Sequence, residues 1–159
     1  MELATRRVHF AGLTANPDEG WMVQVARNVT DAEEGFLRGK KYVLMDRDGK
    51  FCDAFRATQR HAGVEAVRLP PRSPNLNPHL ERFMGSIKAE CLNRMIFFGE
   101  SALQSAAGCF LEHYHRERNH QGLANRLIAP GQEVGRMTGS VACRERLGGL
   151  LRYYYREAA

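Results

Sequence analysis

At 159 residues, with 43% apolar and 26% charged side chains, the chain has the make-up of one globular domain large enough to bury a core. Its formal charge of +5 suits a nucleic-acid partner without proving one, and excludes an acidic, solvating chain. No apolar run is long enough to cross a bilayer and no secretory signal opens the chain, so no membrane association is expected. Cys52, Cys91, Cys109 and Cys143 show no C-x-x-C spacing, which signals neither a zinc knuckle nor a disulfide scaffold. Reduced thiols fit a cytoplasmic location.

In chain order, Arg7 to Thr14 alternates loosely and predicts a strand, ended by the turn signal Asn16-Pro17-Asp18. Trp21, Met22, Val25, Val29, Ala32 and Phe36 keep a helical period to about Leu37. Thr30-x-x-Glu33 reads as a capping box that divides this stretch into two helices. Tyr42 to Asp46 predicts a strand, apolar on both faces and therefore central in its sheet. A short helix over Ala54 to His61 and a strand over Val64 to Leu69 follow, and Pro70-Pro71 stops the strand because proline lacks the ladder donor.

Asn77-Pro78 marks a helix start, with Leu80, Phe83, Met84, Ile87 and Cys91 as its apolar stripe. A turn near Phe98-Gly99-Glu100 precedes a second helix, started by Ser101-x-x-Gln104 and carrying Ala106, Ala107, Phe110, Leu111 and Tyr114 inward. The last forty residues are glycine-rich and irregular, closing with a strand or short helix over Leu147 to Arg156. The order β, α, β, α, β, then helices predicts an α/β fold.

Two carboxylates stand out. Asp46 ends an apolar strand, where open α/β sheets place their chemistry, and Glu81 lies in the first turn of a helix, with thirty-four residues between the two. Lys88 follows Glu81 by seven residues and projects to roughly the same side. A first-turn Glu favoured by the helix dipole is the bland alternative.

With Asp46-x-x-x-x-Phe51, Ser73-Pro74, Asn77, Glu81 and the segment YHRERNHQGL (Tyr114 to Leu123), the chain resembles the catalytic core of bacterial insertion-sequence transposases, within the retroviral-integrase superfamily. That family carries three acids. Asp46 matches the second, Phe51 its aromatic position, with Asp48 in place of the usual Gly; Glu81 matches the third. The segment from Tyr114 resembles Tyr-Asn-x-x-Arg-x-His-x-x-Leu, with His115 in place of the Asn.

The resemblance implies a ribonuclease H-like integrase core, a mixed sheet with flanking helices, over residues 1–135, with 136–159 as a C-terminal extension. It implies metal-dependent DNA strand transfer, with Asp46 and Glu81 as catalytic ligands of Mg²⁺ or Mn²⁺, because hard ions take oxygen donors and two such ions activate nucleophile and leaving group. If the Phe51 alignment is off, Asp48 replaces Asp46. Lys88, Arg116, Arg118 and His120 are the expected DNA contacts, arginine forks suiting phosphate oxygens. His113 and His115 lie two apart on a helix and face different sides, so no zinc site is expected.

The family's first acid lies on a first strand, and Met1 to Arg7 matches the end of its second, so that strand and its Asp are expected to be missing. Glu2 matches a non-catalytic acid. The competing expectation is therefore an inactive remnant that binds only DNA or transposase subunits. Exposed strand edges favour homo-oligomers or pairing with such subunits.

Overall fold

The computed structural model describes residues 1–71 and 76–158, so the Ser73-Pro74 step lies outside the described residues. The chain divides into two units, Ala11–Pro78 and Met1–Phe10 with His79–Ala159. Together they show a mixed α/β composition of helices and small sheets.

In Ala11–Pro78, helix α1 runs over Glu19–Val29 and begins where Asp18 Oδ1 accepts the Trp21 amide at 2.7 Å. Met22, Ala26 and Val29, spaced by four and three, are its buried side. The helix stops there, and the predicted second helix does not form. Thr30 Oγ1 donates back to the Ala26 carbonyl at 2.8 Å, so its hydroxyl closes α1 rather than opening another helix. Asp31 Oδ1 instead takes the amides of Glu33 and Glu34, each at 2.9 Å, in a local turn. Gly35 permits that turn: a Cβ there would stand 2.5 Å from the Asp31 backbone.

Strand β1 (Tyr42–Met45), helix α2 (Asp53–His61) and strand β2 (Glu65–Arg68) make a βαβ unit. The strands pair in parallel from Tyr42↔Glu65 to Met45↔Arg68. Met22, Ala26, Met45 and Phe55 form the core, with the Phe51 and Phe55 rings 5.4 Å apart. β1 is not the central strand its sequence predicts. Among the described residues it pairs with β2 alone, in a two-stranded sheet, and Tyr42 remains 62% exposed.

In the other unit, helix α3 (Pro78–Glu90) and helix α4 (Glu100–Arg116) supply most of the core: Phe83, Ile87, Cys91, Ala106, Phe110 and Tyr114. Four-residue steps carry Phe83, Ile87 and Cys91 inward, whereas Met84, predicted in the stripe, turns outward and is 41% exposed. Phe83 meets Tyr114 edge-on at 5.0 Å between ring centres. α4 begins earlier than its Ser101 signal. Gly99, at φ 84°, swings the chain into the helix, so Ser101 falls inside the first turn and cannot cap it.

The predicted strand over Arg7 to Thr14 is absent. The Val8 amide has no ladder partner and donates to His115 Nε2 at 3.0 Å. The C-terminal stretch is more regular than predicted. Strands β3 (Val141–Arg146) and β4 (Leu151–Arg156) form an antiparallel hairpin. Its turn holds Leu147, Gly148 and Gly149 at φ 51°, 65° and 85°, the left-handed region that two glycines adopt at little cost. Leu151 enters the core. The two sheets, one parallel and one antiparallel, replace the single mixed sheet of the prediction, since their strands lie in different units.

Candidate metal and nucleic-acid site

Asp46 follows the last residue of β1, and its carboxylate is exposed. One oxygen, Oδ1, accepts the Asp48 amide at 3.0 Å, which fixes the turn out of the strand. Asp48 is differently placed. Lys50 Nζ sits 2.5 Å from its Oδ2, and that bond, with the Lys50 amide on Oδ1, holds its carboxyl below the ordinary range. Lys50 also lies over the Phe51 ring, 5.0 Å from its centre. Of the two acids, Asp48 is engaged by a cation of its own loop.

Glu81 and Lys88 stand exposed on α3, one in its first turn and one in its last. Seven residues at 3.6 per turn bring them within about 20° of each other around the axis. Asp46 belongs to Ala11–Pro78, and Glu81 and Lys88 to the other unit. Among the described residues, no group of three or more His, Cys, Asp or Glu side chains converges within either unit. As donors, exposed carboxylates at a strand end and a helix start fit a hard cation such as Mg²⁺.

The other predicted contacts lie around the end of α4. Arg116 pairs with Glu112 one helical turn back at 3.3 Å, both exposed. Arg118 Nη1 donates to both oxygens of Glu90 at 2.6 Å, and its guanidinium lies 5.8 Å from the Tyr114 ring centre. His120 Nε2 donates to the Tyr114 carbonyl at 2.7 Å, while its ring meets Tyr114 edge-on at 4.6 Å. His115 has the opposite tautomer at that nitrogen, since its Nε2 accepts from Val8. Burial lowers both histidines below their ordinary value, aided by Arg7 at His115 and by Arg118 at His120.

Beside these residues is a cleft of about 290 Å³, whose lining includes Arg6, His79, Arg82, Arg118 and His120 and, among the described residues, no carboxylate. Arg6, His79 and Arg82 are absent from the predicted contacts. The 79, 82, 86 spacing on α3 is the signal that points to a second polar face.

Glu117 is a further residue that periodicity alone did not single out. Its side chain is fully buried, between Arg146 at 2.8 Å, His113 at 2.9 Å and Arg144 at 3.2 Å. Burial raises its carboxyl, but the hydrogen bonds from Arg146, His113 and Arg144 prevail and bring it from 4.5 to about 2.

Residues 62–127 match the family model described as integrase core domain. Over that stretch, the resemblance to the integrase core of insertion-sequence transposases is borne out. The stretch contains Glu81, Lys88, Arg116, Arg118 and His120, whereas Asp46 precedes it. The chain is also 31% identical, over 75 residues, to the uncharacterized 39.2 kDa protein of insertion element IS476 from Xanthomonas euvesicatoria. That match covers 47% of this chain and 21% of the relative, so the chain spans about a fifth of the curated protein it resembles. No solved structure gives a significant match. No described helix is long and apolar enough to cross a membrane.

Proposed function

We propose that this chain acts in DNA transposition, as part of a ribonuclease H-like catalytic core that cuts and joins DNA phosphodiesters with Mg²⁺ or Mn²⁺. The observation that carries the reading is Glu81 with Lys88 on one face of α3, inside the segment that matches the integrase core domain. Glu81 would hold the ion together with Asp46, and Lys88 would take a phosphate of the DNA end. Asp46 suits this role better than Asp48, whose carboxylate Lys50 already engages. When bound, the metal supplies charge neutralisation at the reacting phosphate. The protein's own part is to present oxygen ligands without a cation of its own and to hold the duplex by its phosphates. Partners are DNA and other transposase subunits, including further copies of this chain.

The test is duplex binding and cleavage by the purified chain with Mg²⁺ or Mn²⁺, beside Glu81→Gln. Metal-dependent binding or cutting that Glu81→Gln abolishes supports the reading. Metal-independent behaviour identical in both proteins overturns it.

A further inference from the structure

α3 carries two polar faces. Glu81 and Lys88 share one, and His79, Arg82 and Ser86, spaced by three and four, share the other, at least about 100° around the axis from Glu81. The second face borders the 290 Å³ cleft, with Arg118 and His120 from beyond α4 and Arg6 from the N-terminal turn. We infer that this cleft is a binding site for a phosphate group of the DNA backbone, separate from the Glu81–Lys88 face, and this rests on the proposed action on DNA.

The chemistry of the lining favours an anion over any other ligand. Three guanidinium groups line it together with two imidazoles, and no carboxylate is among its described lining residues to neutralise the arginines. Glu90 offsets one charge by its bond to Arg118, leaving those of Arg6 and Arg82 in excess. All three arginines act on one point: burial raises the Tyr114 hydroxyl, against the opposing charges of Arg118, Arg6 and Arg82. The cleft is also built. Arg6 has a left-handed φ of 63°, unusual for a side-chain-bearing residue, and is held there by a turn in which its amide donates to Glu2 and the Glu2 amide donates to Arg7. Arg118 is set by Glu90 and by the Tyr114 face, and His120 by the Tyr114 carbonyl. Lining groups fixed in advance lose little freedom when the anion arrives.

The experiment uses the whole chain, a blunt duplex of arbitrary sequence and inorganic phosphate. Arg6→Ala with Arg82→Ala removes the two excess charges; Arg27→Ala with Arg60→Ala removes two exposed charges elsewhere. Arg82→Ala alone, an exposed helical change, stands in if the double variant misfolds. The first pair is expected to weaken duplex binding about tenfold and to lower the slope of log affinity on log salt by about one per lost contact. The control pair should change affinity less than about twofold. Equal losses in both pairs overturn the site. If the unaltered chain binds no duplex, the proposed function fails by itself, and the histidine ring signals then decide the cleft. Inorganic phosphate that moves His79 and His120 assigns it to free phosphate, and silence overturns it.

Discussion

Arg146 grips the buried carboxylate of Glu117 through Nε and Nη2, at 2.8 to 3.0 Å, across twenty-nine residues of chain. The contact ties the end of α4 to β3, and Arg144 reaches the same carboxylate from that strand. A buried carboxylate is costly unless paired, so each partner is needed for the other.

Glu117→Gln should therefore loosen the hairpin and destabilise this unit, by roughly 2–4 kcal/mol, since removing one member of a buried pair strands the rest. The pH dependence has a definite sign. The folded carboxyl lies near 2, below the 4.5 of the unfolded chain, so its contribution is complete above about pH 5 and is lost as pH falls toward 2. Urea unfolding across that range should show a steeper acid loss for the unaltered protein than for Glu117→Gln. Parallel curves would count against the network.

His115 predicts a milder acid response at the N-terminus. Burial first, then Arg7, lowers its ring below 6.5, so the folded state keeps it neutral and able to accept from Val8. A lowered histidine gives stability that is present above the ordinary 6.5 and lost as pH falls through the folded value. Protection of the Val8 amide, taken relative to its intrinsic exchange rate at each pH, should fall as pH drops below 6.5. His115→Asn keeps a neutral acceptor and should remove most of that change. An Asn variant as acid-sensitive as the unaltered chain would point to another group.

Mn²⁺ affinity separates the three acids. Asp46→Asn and Glu81→Gln should each weaken binding about tenfold or more, since even changes beyond the direct ligands cost that much. Asp48→Asn should do far less, its carboxylate being held by Lys50. Greater loss from Asp48→Asn than from Asp46→Asn would shift the assignment.

Duplex binding should be indifferent to sequence and fall steeply with salt, because phosphate contacts carry no base information. Lys88→Ala is expected to reduce the salt slope by about one, equally on unrelated duplexes. Gel shifts at two salt concentrations check both statements, and salt-independent binding would refute them.

The sequence by itself determined the elements whose signal is local. Asn77-Pro78 starts α3, the four-residue apolar steps bury Phe83 and Ile87, and the strand-helix-strand order from Tyr42 to Arg68 is present within a residue or two of its predicted bounds. The motifs around Glu81 and Tyr114 also carried the integrase-core resemblance, because the order and spacing of a motif are written along the chain. Only the tertiary structure decided what depends on partners distant in sequence. Whether Val8 forms a strand depends on a neighbouring ladder, and its amide meets His115 instead. Val141–Arg146 becomes a strand because Leu151–Arg156 folds back on it at Gly148-Gly149. Arg118 and Arg146 look alike in sequence, two exposed-seeming cations in a basic tail. Packing gives one to Glu90 beside an open cleft and the other to a buried Glu117, since charge chooses its partner by distance and dielectric rather than by position along the chain.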